Sequence, residues 1–144
     1  MKTRLFDASS IMLLTKRQPK KAPDILEGEY ILDLTKYEVG NAVWKLNKLI
    51  DTTDASTAIE AIEQVHNLTA LMEVTGIEGE EETRDTMKIA YETGLSFYDS
   101  AYLSTACARD LKLVTEDGSL VKRAKELGLD CLSAEKLTGH EKTG

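Results

Sequence analysis

Four carboxylates stand where this sequence could do chemistry. They follow short apolar runs or lie in the first turns of helical patterns, and they are Asp7, Glu38, Asp99 and Asp117. Carboxylates that converge repel one another unless a cation lies among them, and oxygen-only ligands suit Mg²⁺ or Mn²⁺. Neither histidine belongs to the set, because His66 falls within a helical pattern and His140 lies near the end of the sequence, which argues against zinc.

Each acid also has an ordinary structural explanation. Two of them end motifs of the capping-box form, Ser96-x-x-Asp99 and Thr35-x-x-Glu38. Asp7 fits the N-cap of the helix that follows it, and Asp117 fits an N-cap or a turn with Gly118. For any one acid the structural explanation is the simpler one, whereas four carboxylates at one place favour a bound cation.

The elements that must position these acids alternate between strands and helices. Apolar runs predict strands over residues 4–6, 30–34, 73–77, 112–115 and 129–132. Periodicity predicts helices over about 10–14, 22–26, 35–50, 54–72, 80–93 and 119–127, with Asp99 in the first turn of one more. Strands separated by helices imply an α/β fold, a three-layer α/β/α sandwich with a mostly parallel sheet of four to five strands. We expect a single domain over residues 1–137 and a flexible tail over 138–144.

Apolar periodicity also predicts which helix faces are buried. The helix from residue 35 is expected to bury Val39, Val43, Leu46 and Ile50. The next helix aligns Ala55, Ile59, Ile62, Thr69 and Met72. In the helix that has Asp99 in its first turn, one face holds Asp99, Tyr102, Leu103 and Ala106. Trp44 extends an apolar face, so we expect it in the core or at a subunit interface.

Connectivity indicates where the acids meet. In open parallel sheets, ligands bind beyond the carboxyl ends of the strands. Asp7 follows the first strand, Glu38 lies in the helix turn after the second, and Asp117 follows the strand over 112–115. These three acids are therefore predicted at one sheet edge. Asp99 begins a helix that follows no clear strand, so the pattern alone does not place it there.

Charge and composition exclude some classes of function. The 144 residues carry a formal net charge of −7, which is not typical of a protein that coats DNA nonspecifically. An acidic charge does not exclude a nuclease, because a metal in an acidic site can still hold a phosphate. Cys107 and Cys131 show no zinc spacing, so we expect both in the core of a cytoplasmic protein. No apolar run matches a signal peptide or a membrane span, so no membrane partner is expected.

Four segments of the sequence resemble the PIN-domain family, specifically its VapC-type toxin nucleases. They are 5–9 (LFDAS), 35–42 (TKYEVGNA), 97–102 (FYDSAY) and 113–120 (LVTEDGSL), within about residues 3–133. The resemblance implies that the family's acidic quartet falls on Asp7, Glu38, Asp99 and Asp117, with the small hydroxyl residues Ser9 and Thr115 nearby. It also implies a PIN-like fold, metal-dependent ribonuclease activity on single strands, a homodimer, and a small VapB-like antitoxin that blocks the site.

The expected chemistry is hydrolysis of an RNA phosphodiester by metal-activated water. Mg²⁺ or Mn²⁺ would lower the pKa of a bound water, which attacks phosphorus in line with the leaving sugar oxygen and leaves a 5′-phosphate and a 3′-hydroxyl. Asp7 and Asp99 are the expected ligands, direct or through water, and Asp117 and Glu38 complete the site or orient its waters. The hydroxyls of Ser9 and Thr115 either bind a water or phosphate there or act as caps.

Other interpretations stay open at this point. One interpretation keeps the fold but places the protein in RNA maturation outside a toxin pair, and another makes it an inactive module that binds RNA or protein. A haloacid-dehalogenase-like phosphatase needs a second aspartate where Ser9 stands, and a response-regulator receiver needs an acidic partner beside Asp7. A basic cluster either guides RNA to the site or is a solvated surface, and it comprises Lys16, Arg17, Lys20 and Lys21.

Overall fold

Five short parallel strands form the middle layer of the protein. The computed structural model describes residues 3–49 and 54–141. Within these ranges the strands are β1 (Arg4–Phe6), β2 (Tyr30–Leu32), β3 (Glu73–Thr75), β4 (Lys112–Val114) and β5 (Cys131–Leu132). Their order in the sheet is β3-β2-β1-β4-β5, and each neighbouring pair is parallel. The predicted parallel α/β sheet is therefore confirmed, with strands one to two residues shorter than most of the apolar runs.

Helices connect the strands and cover the sheet. They are α1 (Ala8–Arg17), α2 (Ala22–Leu26), α3 (Thr35–Leu49), α4 (Ala55–Thr69), α5 (Gly79–Thr93), α6 (Phe97–Arg109), α7 (Gly118–Glu126) and α8 (Ala134–Glu141). In the described parts of the chain, none of them is long and apolar enough to cross a membrane.

Helix α8 is absent from the sequence prediction and reaches into the predicted tail. Its start depends on a distant partner, because the backbone N–H of Ala134 donates to Glu116 Oε2 at 2.6 Å. Ser133, just before the helix, also donates its hydroxyl to Glu116 Oε1 at 2.6 Å. Hydrophobic periodicity is a local property, so it could not predict a helix start that is capped by Glu116 from another loop. Residues 142–144 lie outside the described ranges.

Side chains of successive strand residues point to opposite faces of the sheet and form two cores. Phe6, Ile31 and Val114 pack on one face with residues of α1 to α4 and α8. On the other face, Leu5 and Leu113 pack with α6 and α7, against which Ile89 of α5 also packs. The predicted three-layer sandwich is confirmed, with α3 and α6 on opposite sides of the sheet.

Helix α3 buries less of its length than its periodicity predicts. Val39 and Val43 are in the core, but Leu46 is 53% exposed and Trp44 is 56% exposed. Three strand residues extend about 10 Å, whereas the 15 residues of α3 extend about 22 Å. The second half of the helix therefore has little sheet beneath it, and the prediction that Leu46 is buried is wrong. Ile50 lies outside the described residues.

The predicted buried face of α4 is confirmed only in part, since Ile62 packs against the core but Ala55 is exposed. Ile59 is 53% exposed, whereas Val65 and Leu68 are buried. Met72, which follows the helix, is buried as predicted. Helix α4 packs mainly against α3 and α2 rather than directly on the sheet, so its contacts follow those helices.

The two cysteines occupy different environments. Cys107 is exposed on α6, and Cys131 is partly buried in β5; both are free thiols. Desolvation by neighbouring protein atoms raises the pKa of both thiols. The expectation that both lie in the core is wrong for Cys107, because the buried face of α6 ends at Ala106.

The sheet has one point where its strand order reverses. From β1 the chain adds β2 and β3 on one side, and it later adds β4 and β5 on the other. The carboxyl ends of β1 and β4 therefore form a crevice of the kind that binds ligands in open parallel sheets. Asp7 follows β1 directly, and Thr115 follows β4 directly.

Candidate active site

Asp7 lies in the crevice between β1 and β4. Its backbone N–H donates to the carbonyl of Val114 at 3.1 Å, which continues the sheet by one residue. Its side chain caps α1, since Oδ1 accepts from the backbone N–H of Ser10 at 2.9 Å and from the Ser9 hydroxyl at 2.7 Å. Asp7 is only 6% exposed. Burial raises the pKa of this carboxyl, and its hydrogen bonds offset that effect only in part.

Two hydroxyl groups connect Asp7 to the loop after β4. Thr115 donates its hydroxyl to Asp7 Oδ2 and accepts from the backbone N–H of Asp117 at 3.0 Å. The Ser9 hydroxyl, which donates to Asp7 Oδ1, accepts from the backbone N–H of Glu116 at 3.0 Å. A hydroxyl has one proton, and in both residues it is directed at Asp7. The structure thus places Ser9 and Thr115 where they orient Asp7.

Asp117 is both the N-cap of α7 and the outermost of the four acids. Its Oδ1 accepts from the backbone N–H and the hydroxyl of Ser119 at 2.9 and 2.8 Å. The backbone N–H of Leu120 reaches the same oxygen at 3.4 Å. These hydrogen bonds confirm the capping interpretation. The residue is also exposed, so its carboxylate is accessible from solvent.

Glu38 is held by a side chain from the opposite layer of the fold. The Tyr102 hydroxyl of α6 donates to Glu38 Oε1 at 2.5 Å and lies 2.7 Å from the Thr35 hydroxyl. The predicted capping box does not form, because the N–H of Glu38 bonds the carbonyl of Leu34 at 3.2 Å. Burial raises the pKa of Glu38, the Tyr102 hydrogen bond opposes the rise, and the charges of Asp7 and Asp99 add to it.

Asp99 reaches the crevice through a helical hairpin. Helix α5 ends at Gly94, whose φ of 77° is left-handed, and α6 begins two residues after Leu95. Ser96 caps α6 by accepting from the N–H of Asp99 at 3.0 Å, as its motif predicts. Burial raises the pKa of Asp99, the charge of Asp117 raises it further, and the Ser96 hydroxyl lowers it.

The hairpin is fastened along its length. A buried hydroxyl pair, Thr86 with Ser104, joins the two helices at 2.6 Å. At the far end of α6, Arg109 donates to Glu82 Oε1 and to the carbonyl of Gly76, both at 3.0 Å. These contacts hold the middle and the far end of α6 against α5 and the loop after β3, whereas its first turn, which carries Asp99, is fixed by the Ser96 cap.

The four acids form an electrostatic chain at one edge of the sheet. Glu38 feels the charges of Asp7 and Asp99, and Asp99 feels the charge of Asp117. The charged groups that shift the pKa values of Glu38 and Asp99 are all carboxylates, and each of them raises the pKa. The structure therefore places Asp99 within range of the charges of Glu38 and Asp117, near the edge to which connectivity assigns the other three acids.

The donor chemistry of this edge fits a hard divalent cation. The groups present are carboxylate and hydroxyl oxygens, and the mutual repulsion of the carboxylates is what a cation would relieve. Yet in residues 3–49 and 54–141 no group of three or more His, Cys, Asp or Glu side chains is placed to hold a metal ion. Mg²⁺ keeps several of its waters and commonly binds through one or two carboxylates, which is the mode that this arrangement allows.

A groove opens beside the acidic edge, between α1 and the α3–α4 pair. Its lining is mostly apolar, with Met12, Val43 and Ala61 among its walls and Ser9 at the end near the acids. Lys16 of the basic cluster also lines it. Arg17, the next residue of that cluster, does not line the groove and instead forms an ion pair with Glu135 at 2.7 Å.

One contributor to the site escaped the sequence analysis. The pattern placed Tyr102 on the buried face of its helix, and the ring is indeed 1% exposed. The signal for a polar role was its spacing of three from Asp99, which puts its hydroxyl near the same helix end. The partner that completes the contact, Glu38, lies 64 residues earlier in the chain.

Known proteins are similar to this chain in sequence and in structure. The sequence is 32% identical to exonuclease VapC9 of Pyrobaculum aerophilum over 121 residues, which cover 84% of this chain and 85% of the relative. A search of family models finds no match. The structure is similar to PAE2754 from Pyrobaculum aerophilum, with a TM-score of 0.79 and 29% identity over 99% of this chain and 91% of that one.

Two further solved structures share the fold at lower identity. VapBC-1 from nontypeable Haemophilus influenzae has a TM-score of 0.61 and 17% identity, and the match covers 92% of this chain and 98% of that one. A toxin–antitoxin complex from Klebsiella pneumoniae has a TM-score of 0.51 and 19% identity over 80% and 87% of the two chains.

Proposed function

The chain belongs to the VapC family of PIN-domain proteins, and from this premise we propose that it is a metal-dependent endoribonuclease, the toxin of a toxin–antitoxin pair. The relative named an exonuclease supports nuclease activity. The observation that carries the proposal is the buried carboxylate of Asp7, which follows β1 and accepts hydrogen bonds from the hydroxyls of Ser9 and Thr115. Asp7 lies where the strand order of the sheet reverses, and its charge and that of Asp99 both raise the pKa of Glu38.

Asp7 and Asp99 are the proposed ligands of Mg²⁺ or Mn²⁺, with Glu38 and Asp117 acting directly or through water. When bound, the ion supplies an activated water and offsets the charge of the phosphate. Ser9 and Thr115 hold the carboxylate of Asp7 in one orientation, so little reorganisation is needed when a cation arrives. The hydroxyl of Tyr102 occupies one oxygen of Glu38 and leaves the other for the site.

We propose internal cleavage of single-stranded RNA because the acidic edge is open on its outer side. Asp117 is exposed, and Glu38 and Asp99 are only partly buried. A strand can therefore cross the edge without first threading a free end. The name of the curated relative favours the other mode, removal of nucleotides from an end, so the substrate of the test must separate the two.

The test incubates the purified full chain with a circular single-stranded RNA and a linear one, in Mg²⁺, in Mn²⁺ and in EDTA. We expect both RNAs to be cut only with metal, leaving 5′-phosphate and 3′-hydroxyl ends. Asp99→Asn should abolish cleavage, whereas Asp110→Asn, the same change at the other end of α6, should retain it. Cleavage of the linear RNA alone would make the enzyme an exonuclease. Equal activity in EDTA or in Asp99→Asn would overturn the proposal.

The proposed partners are a small VapB-like antitoxin and a second copy of this chain in a homodimer. Two structural neighbours are a VapBC structure and a toxin–antitoxin complex. The apolar groove beside Ser9 suits an antitoxin segment that would end at the acidic edge. A neighbouring reading frame whose small product inhibits cleavage would support this role and would argue against RNA maturation. We also propose a cytoplasmic location, on the grounds of the likeness to toxin–antitoxin proteins.

A further inference from the structure

Tyr102 connects the two helical layers at the carboxyl edge of the sheet. Its ring packs in the core shared by α6 and α7, while Glu38 belongs to α3 on the opposite face. The phenol oxygen is 2.5 Å from Glu38 Oε1 and 2.7 Å from the Thr35 hydroxyl. Both Tyr102 and Thr35 are almost completely buried, at 1% and 0% exposure. This polar contact therefore spans the sheet edge within the core.

The proton count gives this contact a direction. A phenol has one proton, and an ionised Glu38 can only accept, so Tyr102 donates to Glu38. The oxygen of Tyr102 must then accept from Thr35, which gives the chain Thr35 to Tyr102 to Glu38. Burial raises the pKa of Tyr102 above its usual value, and the contact with Glu38 raises it further, so the phenol keeps its proton.

We propose that Tyr102 is a positioning residue that holds Glu38 in the orientation required for metal binding, an inference that rests on the proposed function. Asp99 lies three residues before Tyr102 on the same face of α6. One helix face thus presents one acid of the site and holds a second. A charged carboxylate fixed by a buried donor keeps its second oxygen free for a cation or its waters.

The inference predicts that Tyr102→Phe weakens metal binding before any RNA is present. Loss of a hydrogen-bond partner behind a metal ligand typically costs roughly 10- to 100-fold in metal affinity or activity. We expect the dissociation constant for Mn²⁺, measured by electron paramagnetic resonance of the free ion, to rise by about tenfold or more. Excess Mn²⁺ should restore much of the cleavage rate.

Three further variants separate positioning from simple loss of packing. Ser104→Ala removes the other buried interhelical hydroxyl of α6, at 2.6 Å from Thr86, and should leave Mn²⁺ affinity unchanged. Thr35→Val should weaken Mn²⁺ binding in the same direction as Tyr102→Phe, whereas Thr35→Ser should behave as wild type. Thermal unfolding in EDTA shows whether each variant is folded.

The outcomes distinguish this inference from the proposed function. Wild-type protein that binds no Mn²⁺ and cuts no RNA would contradict the proposed function itself. Wild-type protein that does both, with Tyr102→Phe and Thr35→Val binding Mn²⁺ within twofold of it, would overturn only the role of Tyr102. A loss of affinity in Ser104→Ala equal to that in Tyr102→Phe would also overturn it, because the effect would then be general to α6.

Discussion

At the scale of single residues, two of the four acids are helix caps. Asp7 caps α1 and Asp117 caps α7, as ordinary helix chemistry predicts. Both also lie at the edge where the carboxylates converge. The capping explanation is thus confirmed for both residues, and their role as metal ligands stays a proposal.

The buried Asp7 should cost stability whenever the metal is absent. Its pKa lies above the ordinary 3.8, so the folded state holds its proton more tightly than the unfolded state does. Stability is therefore lost as pH rises from about 4 through the raised pKa. We predict that Asp7→Asn in EDTA unfolds at a higher temperature than wild type at pH 7, with a smaller difference at pH 4, while its nuclease activity is abolished.

Differential scanning calorimetry of both proteins between pH 4 and pH 7 measures this difference. Asparagine keeps an oxygen for the N–H of Ser10 and can donate to the Thr115 hydroxyl, so the cap survives the change. Asp110→Asn serves as the control for the amide substitution itself, because that aspartate is exposed. A wild type more stable than Asp7→Asn at pH 7 in EDTA would contradict the prediction.

At the scale of elements, the site is an assembly of helix starts. Helices α1, α3, α6 and α7 each begin at the carboxyl edge of the sheet, with one of the four acids at the N-cap or in the first turn. The positive end of a helix dipole stabilises a nearby carboxylate by about 0.3–1 kcal/mol. Four helix starts therefore offset part of the repulsion among the acids, and a cation would offset the rest.

The α5–α6 hairpin depends on the turn at Gly94. Its φ of 77° is left-handed, a conformation that costs other residues about 1–2 kcal/mol. We predict that Gly94→Ala lowers the free energy of unfolding by about 1 kcal/mol, measured by urea denaturation. Gly118 begins α7 with ordinary φ and open space around it, so Gly118→Ala should be neutral or slightly stabilising. Equal effects of the two substitutions would show that the turn conformation is not the cause.

At the scale of the whole molecule, the protein carries an excess of negative charge, −7, and gathers four acids at one edge. A polyanion such as RNA gains little from the average field of such a molecule. Binding must come from local features, and those on the described surface include the groove beside Ser9 and Lys16 within that groove. A cation held at the acidic edge, as proposed, would add a further local attraction. Such local attractions would let a protein of net negative charge bind RNA.

Metal binding should therefore appear as global stabilisation. A ligand that binds only the folded state adds about 2.7 kcal/mol at a concentration one hundred times its dissociation constant. We predict that Mn²⁺ raises the unfolding temperature of wild type and of Asp110→Asn in a concentration-dependent way, but not that of Asp99→Asn. Differential scanning fluorimetry over a Mn²⁺ series measures this, and an equal shift in all three proteins would mean that the ion binds elsewhere.

The sequence by itself determined the class of the fold and the position of three acids after the carboxyl ends of strands. Strand and helix periods are local properties, and alternation of the two implies a parallel sheet whose carboxyl edge must collect Asp7, Glu38 and Asp117. Capping motifs are equally local, which is why the caps by Asp7, Ser96 and Asp117 are confirmed.

Tertiary structure decided everything that depends on distant partners. The arrival of Asp99 at the edge required the packed α5–α6 hairpin, and the contact of Tyr102 with Glu38 joins residues 64 positions apart. The exposure of Leu46 depends on how short the sheet is, and the start of α8 depends on Glu116 from another loop. Local patterns report which face of an element is apolar, but what that face meets is set only when the layers pack.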